Sequence, residues 1–139
     1  MFDKILIAND GSEGAARALS AAIKLGKIHD PELHMICVEE MPRFPASIDE
    51  VVQEKQEANH VFDAVTRRAM AQAPTEGRKL KVHVVVGHPV STIAECVEHE
   101  NFDRLVVGYM GHSMLYNRLI GSTIERLVEH APSAVLVVK

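Results

Sequence analysis

Five short strand-like runs punctuate this chain, and between them apolar residues recur at helical spacing. Ile5-Leu6-Ile7-Ala8 is continuously apolar rather than alternating, the pattern of a strand buried on both faces. Asn9-Asp10-Gly11-Ser12 interrupts it, and Ser12 is placed to cap a helix. Ala15, Ala18, Leu19, Ala22, Ile23 and Gly26 then fall on one helical face, and His29-Asp30-Pro31 ends that unit. A second strand covers Leu33 to Val38. Glu39 to Ala46 holds two prolines and reads as an exposed loop. From about Ser47 to Ala73, the residues Ile48, Val51, Val52, Phe62, Val65 and Ala69 fit one long amphipathic helix. A third strand, Leu80 to Val86, closes at Gly87-His88-Pro89, and Val90, Ile93, Ala94 and Val97 mark a short helix. A fourth strand is Leu105 to Val107. Ile124, Leu127, Val128 and Ala131 define a last helix, and Pro132 precedes a final strand, Ala134 to Val138.

Strands alternating with helices predict an α/β protein with a parallel sheet covered on both faces. Right-handed crossovers make it doubly wound. No repeat, low-complexity tract or linker divides the chain, so residues 1–139 are expected to form one domain. In such a sheet, ligands sit beyond the carboxyl ends of the strands, where strand order reverses. Asp10 follows the first strand, Val38 ends the second and Gly108 follows the fourth. If the first and fourth strands are neighbours, all three meet at one crevice.

Composition narrows the function. A net charge of −4 argues against a nucleic-acid partner. No apolar run approaches the roughly 20 residues that cross a bilayer, so membrane insertion is not expected. The N-terminal residues lack the organisation of a signal peptide. Two cysteines far apart, Cys37 and Cys96, form neither a Cys-x-x-Cys pair nor a disulfide framework, and they read as small core residues of a reduced, cytoplasmic protein.

The candidate chemistry centres on Gly108-Tyr109-Met110-Gly111, then nine residues, then Gly121-Ser122-Thr123. Glycines behind a strand let backbone N–H groups approach an anion, and a helix N-terminus adds partial positive charge. Ser122-Thr123-Ile124-Glu125 fits a capping box with Ser122 as N-cap, a structural role compatible with phosphate capture by the same first turn. Asp10 is placed either to meet a ribose hydroxyl or a hydrated metal ion, or to form an Asx turn into the first helix. His112 and Arg118 lie in the glycine loop, facing phosphate or solvent. The eight histidines form no metal-ligand spacing. Walker, Gly-x-Gly-x-x-Gly and Gly-x-Ser-x-Gly sequences are absent, and no nucleophile and base stand at a recognisable spacing. The chain is equipped to hold a ligand, with little machinery to transform it.

Gly108-x-x-Gly111, nine residues, Gly121-Ser122 resembles the nucleotide-binding motif of the universal stress protein family. The opening Lys4-Ile5-Leu6-Ile7-Ala8-Asn9-Asp10-Gly11-Ser12-Glu13 resembles that family's first strand and Asp-Gly-Ser turn. Gly87-His88-Pro89 and the run His130 to Val138 fit its pattern too, so the resemblance spans essentially the whole chain. It implies an open five-stranded parallel sheet of order 3-2-1-4-5, a Rossmann-like adenine-nucleotide-binding sandwich. It also implies a homodimer joined through the strand Ala134 to Val138, whose apolar edge needs a partner. By position, Gly108 and Gly111 would approach ribose and phosphates. Gly121, Ser122 and Thr123 would receive phosphates, and Asp10 would lie beside them. Ala8 and Val38 would line the base pocket, with Val107 beneath the nucleotide. Tyr109 and Met110 stand where the family often has Ser or Thr and then Arg or His, and Ala8 replaces a common proline.

The function so implied is binding of ATP, with Mg2+, in a regulatory or sensory response to stress. Hydrolysis would be slow, since no general base or transition-state arginine is evident. Two other classes fit the same residues. One is a slow ATPase or autophosphorylating enzyme with Ser122 or Thr123 as acceptor. The other is a nucleotide-free dimeric adaptor that regulates a transporter or another protein.

Overall fold

In the computed structural model, residues 3–40, 47–75, 79–109 and 117–139 are described, with backbone alone at 54, 58, 74, 75 and 117–122. The elements run β1 (Lys4–Ala8), α1 (Glu13–His29), β2 (Glu32–Glu40), α2 (Ile48–Val61), α3 (Asp63–Thr75), β3 (Leu80–Gly87), α4 (Pro89–His99), β4 (Arg104–Gly108), α5 (Asn117–His130) and β5 (Ala134–Val138). The five strands form one sheet of order β3-β2-β1-β4-β5. Every pairing is parallel, as the expected fold requires.

The continuous hydrophobicity of β1 has the predicted cause. Ile5 and Ile7 face one layer, with Ala18, Leu19, Ala22 and Ile23 of α1 and Ala69 and Ala73 of α3. Leu6 faces the other layer, with Ile93 and Val97 of α4 and Leu127 of α5. A strand apolar on alternate positions only would leave one of these helix layers without a floor.

Helix α1 starts and stops as its sequence dictates. The Ser12 hydroxyl oxygen accepts the Ala15 N–H at 3.1 Å. Asp30 adopts φ 51° and closes the helix by donating its N–H to the Gly26 carbonyl at 3.0 Å.

Two expectations need correction. The single helix over Ser47 to Ala73 is two helices, with Phe62 between them. A straight helix of that length would run roughly 40 Å, well past a sheet whose longest strands span about 30 Å. The break turns the apolar face. Phe62 is buried and its carbonyl accepts the Thr66 N–H at 2.8 Å, opening α3. Upstream, Ile48 and Val52 are 82% and 50% exposed, so the expected core face is carried by Phe62, Ala69 and Ala73 instead. The second correction concerns α5, which begins at Asn117 rather than behind Ser122. Arg118 and Leu119 are strong helix formers, and an interior glycine such as Gly121 costs only about 1 kcal/mol. Ser122 is therefore inside α5 and not its N-cap.

Candidate site at the carboxyl edge of the sheet

Strand order reverses between β1 and β4, the neighbours joined by the pairs Leu6–Leu105 and Ile7–Val106. The carboxyl ends of β2, β1 and β4 thus lie side by side. Ala8 and Val38 pack on the same side of the sheet as buried Val107, in the layer that also holds Ile124 of α5. Three residues far apart in sequence form one apolar floor there. A planar aromatic ligand requires such a floor, bordered by a few polar groups that orient it.

The polar border begins at the β1–α1 turn. Asn9 is buried, and its N–H donates to the Ile36 carbonyl at 2.9 Å, carrying the β1–β2 pairing one step further. Its side-chain oxygen accepts the Gly11 N–H at 2.9 Å, and its amide nitrogen lies 3.3 Å from the Met35 sulfur. Gly11 has φ +86°, a conformation that favours glycine, and a Cβ there would meet Val65 at 3.3 Å. Asp10 accepts the Ser12 N–H at 3.0 Å through Oδ1, an Asx turn. That turn role and a ligand role coexist, because a carboxylate has two acceptor oxygens. In the sequence, Asn9 stands out only as part of the strand-breaking cluster Asn9 to Ser12. Its position one residue past a buried strand was the available signal that its amide would be buried and engaged.

At the end of β4, Gly108 is held by its neighbours. A Cβ on it would lie 2.4 Å from the Gly14 carbonyl carbon and 2.8 Å from the Ala15 nitrogen. The first glycine of the motif therefore lets α1 press its first turn onto β4. The next residue, Tyr109, donates its N–H to the Val138 carbonyl at 2.8 Å, and Lys139 Nζ stands 5.3 Å from the centre of its ring. A cation is thereby kept at this edge although Met110 offers none. Gly111, Met110 and His112 lie outside the described residues. Gly121 and Ser122 are described by backbone alone, in α5, and Thr123 is half-buried one residue further along that helix. The structure brings Ala8, Asp10, Val38, Val107 and Gly108 to one edge.

The carboxyl end of β3 contributes Gly87, where a Cβ would meet the Thr92 hydroxyl at 2.4 Å, and His88. His88 precedes α4 without a side-chain cap, and Pro89 occupies the first turn. His88 is a turn residue here, as its sequence context suggested.

Neither thiol is poised for chemistry. Cys37 is buried one residue before Val38. Burial, and then the negative charge of Asp10, push its thiol up to about 12. Burial also raises half-buried Cys96. Among the described residues, no three His, Cys, Asp or Glu side chains converge to hold a metal. A divalent cation at this edge would depend on ligand phosphates and water, with Asp10 as the adjacent carboxylate. No helix of the described residues is long and apolar enough to cross a membrane.

Comparison with known proteins agrees with this architecture. The family model described as the universal stress protein family matches residues 1–139. The universal stress protein MJ0531 of Methanocaldococcus jannaschii is 32% identical over 148 residues, covering all of this chain and 83% of the relative. Among solved structures, the hypothetical protein MJ0577 superposes with a TM-score of 0.85 at 28% identity, over 100% of this chain and 96% of that one. A universal stress protein in complex with cAMP superposes with a TM-score of 0.76 over 99% and 97% of the two chains; at 24% identity that likeness speaks for the fold alone. With its motif spacing, its strand order and a family match over its whole length, the chain belongs to the universal stress protein family.

Proposed function

We propose that this protein binds an adenine nucleotide, ATP with Mg2+, at the carboxyl edge of β2, β1 and β4, and that the bound nucleotide regulates a response to stress in the cytoplasm. The observation that carries the reading is the convergence of Ala8, Val38 and Val107 on one face at the strand-order reversal, with Asp10 and Gly108 beside them. Adenine lies on that floor and pairs with the backbone at Val38. Gly108 and Gly111 border the ribose and phosphates, and Asp10 supports the hydrated Mg2+. One solved relative of the same fold is a complex with cAMP, so an adenine nucleotide is chemically at home in this architecture.

Gly121, Ser122 and Thr123 receive the phosphates. Because α5 starts at Asn117, the unbonded N–H groups of its first turn belong to 117–120, and those of 121–123 are inside the helix. Phosphate capture at Gly121 and Ser122 thus asks α5 to surrender its first turn. Ser122 and Glu125 then form the capping box at the shortened end.

The whole chain acts as one domain, and two copies join through β5. That strand is at the sheet edge, with Val135 to Val138 only half-buried. A partner strand covers those residues and uses the open backbone edge. Sedimentation gives the dimer mass if this assembly forms. Isothermal titration with ATP and Mg2+, with AMP and cAMP alongside, tests the ligand. Heat of binding at micromolar to low millimolar ATP is expected, and none at millimolar concentration overturns the proposal.

A further inference from the structure

Toward the amino ends of the strands, away from the nucleotide edge, lies a second polar cluster. His34 of β2 is buried, and its Nδ1 is 2.8 Å from Nε2 of His83 on the edge strand β3. The two rings are nearly parallel, at 5°. His34 Nε2 lies 2.7 Å from Glu32 Oε1, which also accepts from Lys81 Nζ at 2.8 Å. Phe102 meets the His34 ring edge-on at 4.9 Å, and Lys4 Nζ stands 4.7 Å from the centre of the Phe102 ring.

The protons in this chain of contacts can be counted. Bonds from Lys81 and then His34 hold the Glu32 carboxyl at about 2, so near neutrality it is an acceptor only. His34 Nε2 therefore carries a hydrogen. Neutral His34 then has a bare Nδ1, and His83 Nε2 supplies the N–H between the rings. One further proton fits, on Nδ1 of His83, with every bond kept. A second does not. With both rings doubly protonated, two N–H groups face each other across 2.8 Å with no acceptor between them.

We propose that the His34–His83 pair is an acid-sensitive latch, which holds β3 against β2 while the rings share at most one added proton and releases it when both are charged. The surroundings work against the second charge. Lys4 of β1 and Lys81 of β3 are cations and Glu32 is already engaged by Lys81; the charge of Glu100 favours a protonated His83, but Glu100 is paired with Lys4 at 3.8 Å and burial and the charge of His34 outweigh it. From α4, the same layer receives the Cys96 thiol, kept neutral by burial. Burial, followed by the charge of His34, depresses the His83 imidazole below its ordinary 6.5. The unfolded chain then binds more protons than the folded one. The contribution of His83 to stability is present above about pH 6.5 and is lost as pH falls through its depressed value. Strand β3 is the element released, because among the described residues it is an end strand of the sheet.

The test compares urea unfolding of the wild type and His83→Gln between pH 7.5 and 5. The glutamine amide can donate to Nδ1 of His34 but does not titrate, and the other histidines cancel between the two proteins. Below pH 6.5 the wild-type ratio of folded to unfolded protein is expected to fall faster than the variant's, by up to about tenfold per pH unit. Parallel curves overturn the proposal. Imidazole NMR titration of the wild type decides the matter if the variant does not fold. The pair should take its second proton at least about one pH unit below its first, with faster amide exchange along Leu80–Gly87. Two rings titrating independently, with β3 exchange unchanged, overturn it.

Discussion

Gly108 and Gly14 touch through their backbones: a Cβ on Gly108 would stand 2.4 Å from the Gly14 carbonyl carbon and 2.5 Å from its oxygen. The close approach sets α1 directly on the end of β4, and it brings the Asp10–Ser12 turn up to the start of the glycine motif. The first motif glycine is thus required by packing before any nucleotide is considered.

Gly108→Ala is therefore expected to destabilise the ligand-free protein. The obstacle is helix backbone, which cannot swing aside as a side chain can, and overpacking of this kind costs about 1–3 kcal/mol. Urea unfolding without nucleotide measures it. A variant as stable as the wild type would mean that α1 can shift outward at no cost.

Asp10 allows its two roles to be separated. Asp10→Asn retains an oxygen to accept the Ser12 N–H, so the Asx turn and the Ser12 cap survive. Stability is expected to stay within about 0.5 kcal/mol of the wild type. Affinity for ATP is expected to fall in the presence of Mg2+ and to change less in its absence, since only the carboxylate charge is lost. Equal affinities for variant and wild type under both conditions would leave Asp10 as a turn residue alone.

Cys37 offers a probe of the core layer behind the site, on the face of β2 opposite Val38. With its thiol pushed up to about 12, only about one molecule in ten thousand carries the thiolate at pH 8. Alkylation at pH 8 is expected to reach Cys37 only through unfolding, so its rate should track urea concentration. Rapid labelling of the native protein would show that the region between β2 and Asp10 opens on its own.

The sheet was legible because its strands are marked twice, by apolar runs and by the turn residues that end them. Asn9 to Ser12 and Gly87 to Pro89 marked where the loops at the carboxyl edge of the sheet begin, and the helix-capping role of Ser12 followed from position alone. The helices over Ile48 to Thr75 were less legible. Apolar spacing reports amphipathicity but not whether a partner layer is long enough to cover it, and Ile48 and Val52 lie beyond that cover. The start of α5 failed for a related reason. A capping box scores well wherever its residues occur, whereas Asn117 to Gly121 can extend the same helix backwards at small cost. Packing between distant segments, as at Gly108 against Gly14 or His34 against His83, has no local signature at all.

The α5 start gives Gly121→Val a sharper meaning. At a helical position valine is a better helix former than glycine by a few tenths of a kcal/mol, so loss of the ligand-free fold is not expected from propensity. In the proposed nucleotide complex α5 would open at this residue, and the isopropyl group would occupy the space assigned to the phosphates while also favouring the extended helix. Both effects oppose binding. ATP affinity by isothermal titration is expected to fall at least about tenfold, equivalent to about 1.4 kcal/mol, with the unfolding midpoint of the free protein unchanged or slightly raised. Unaltered affinity would place the phosphates away from Gly121 and leave the apolar floor of Ala8, Val38 and Val107 to be tested separately.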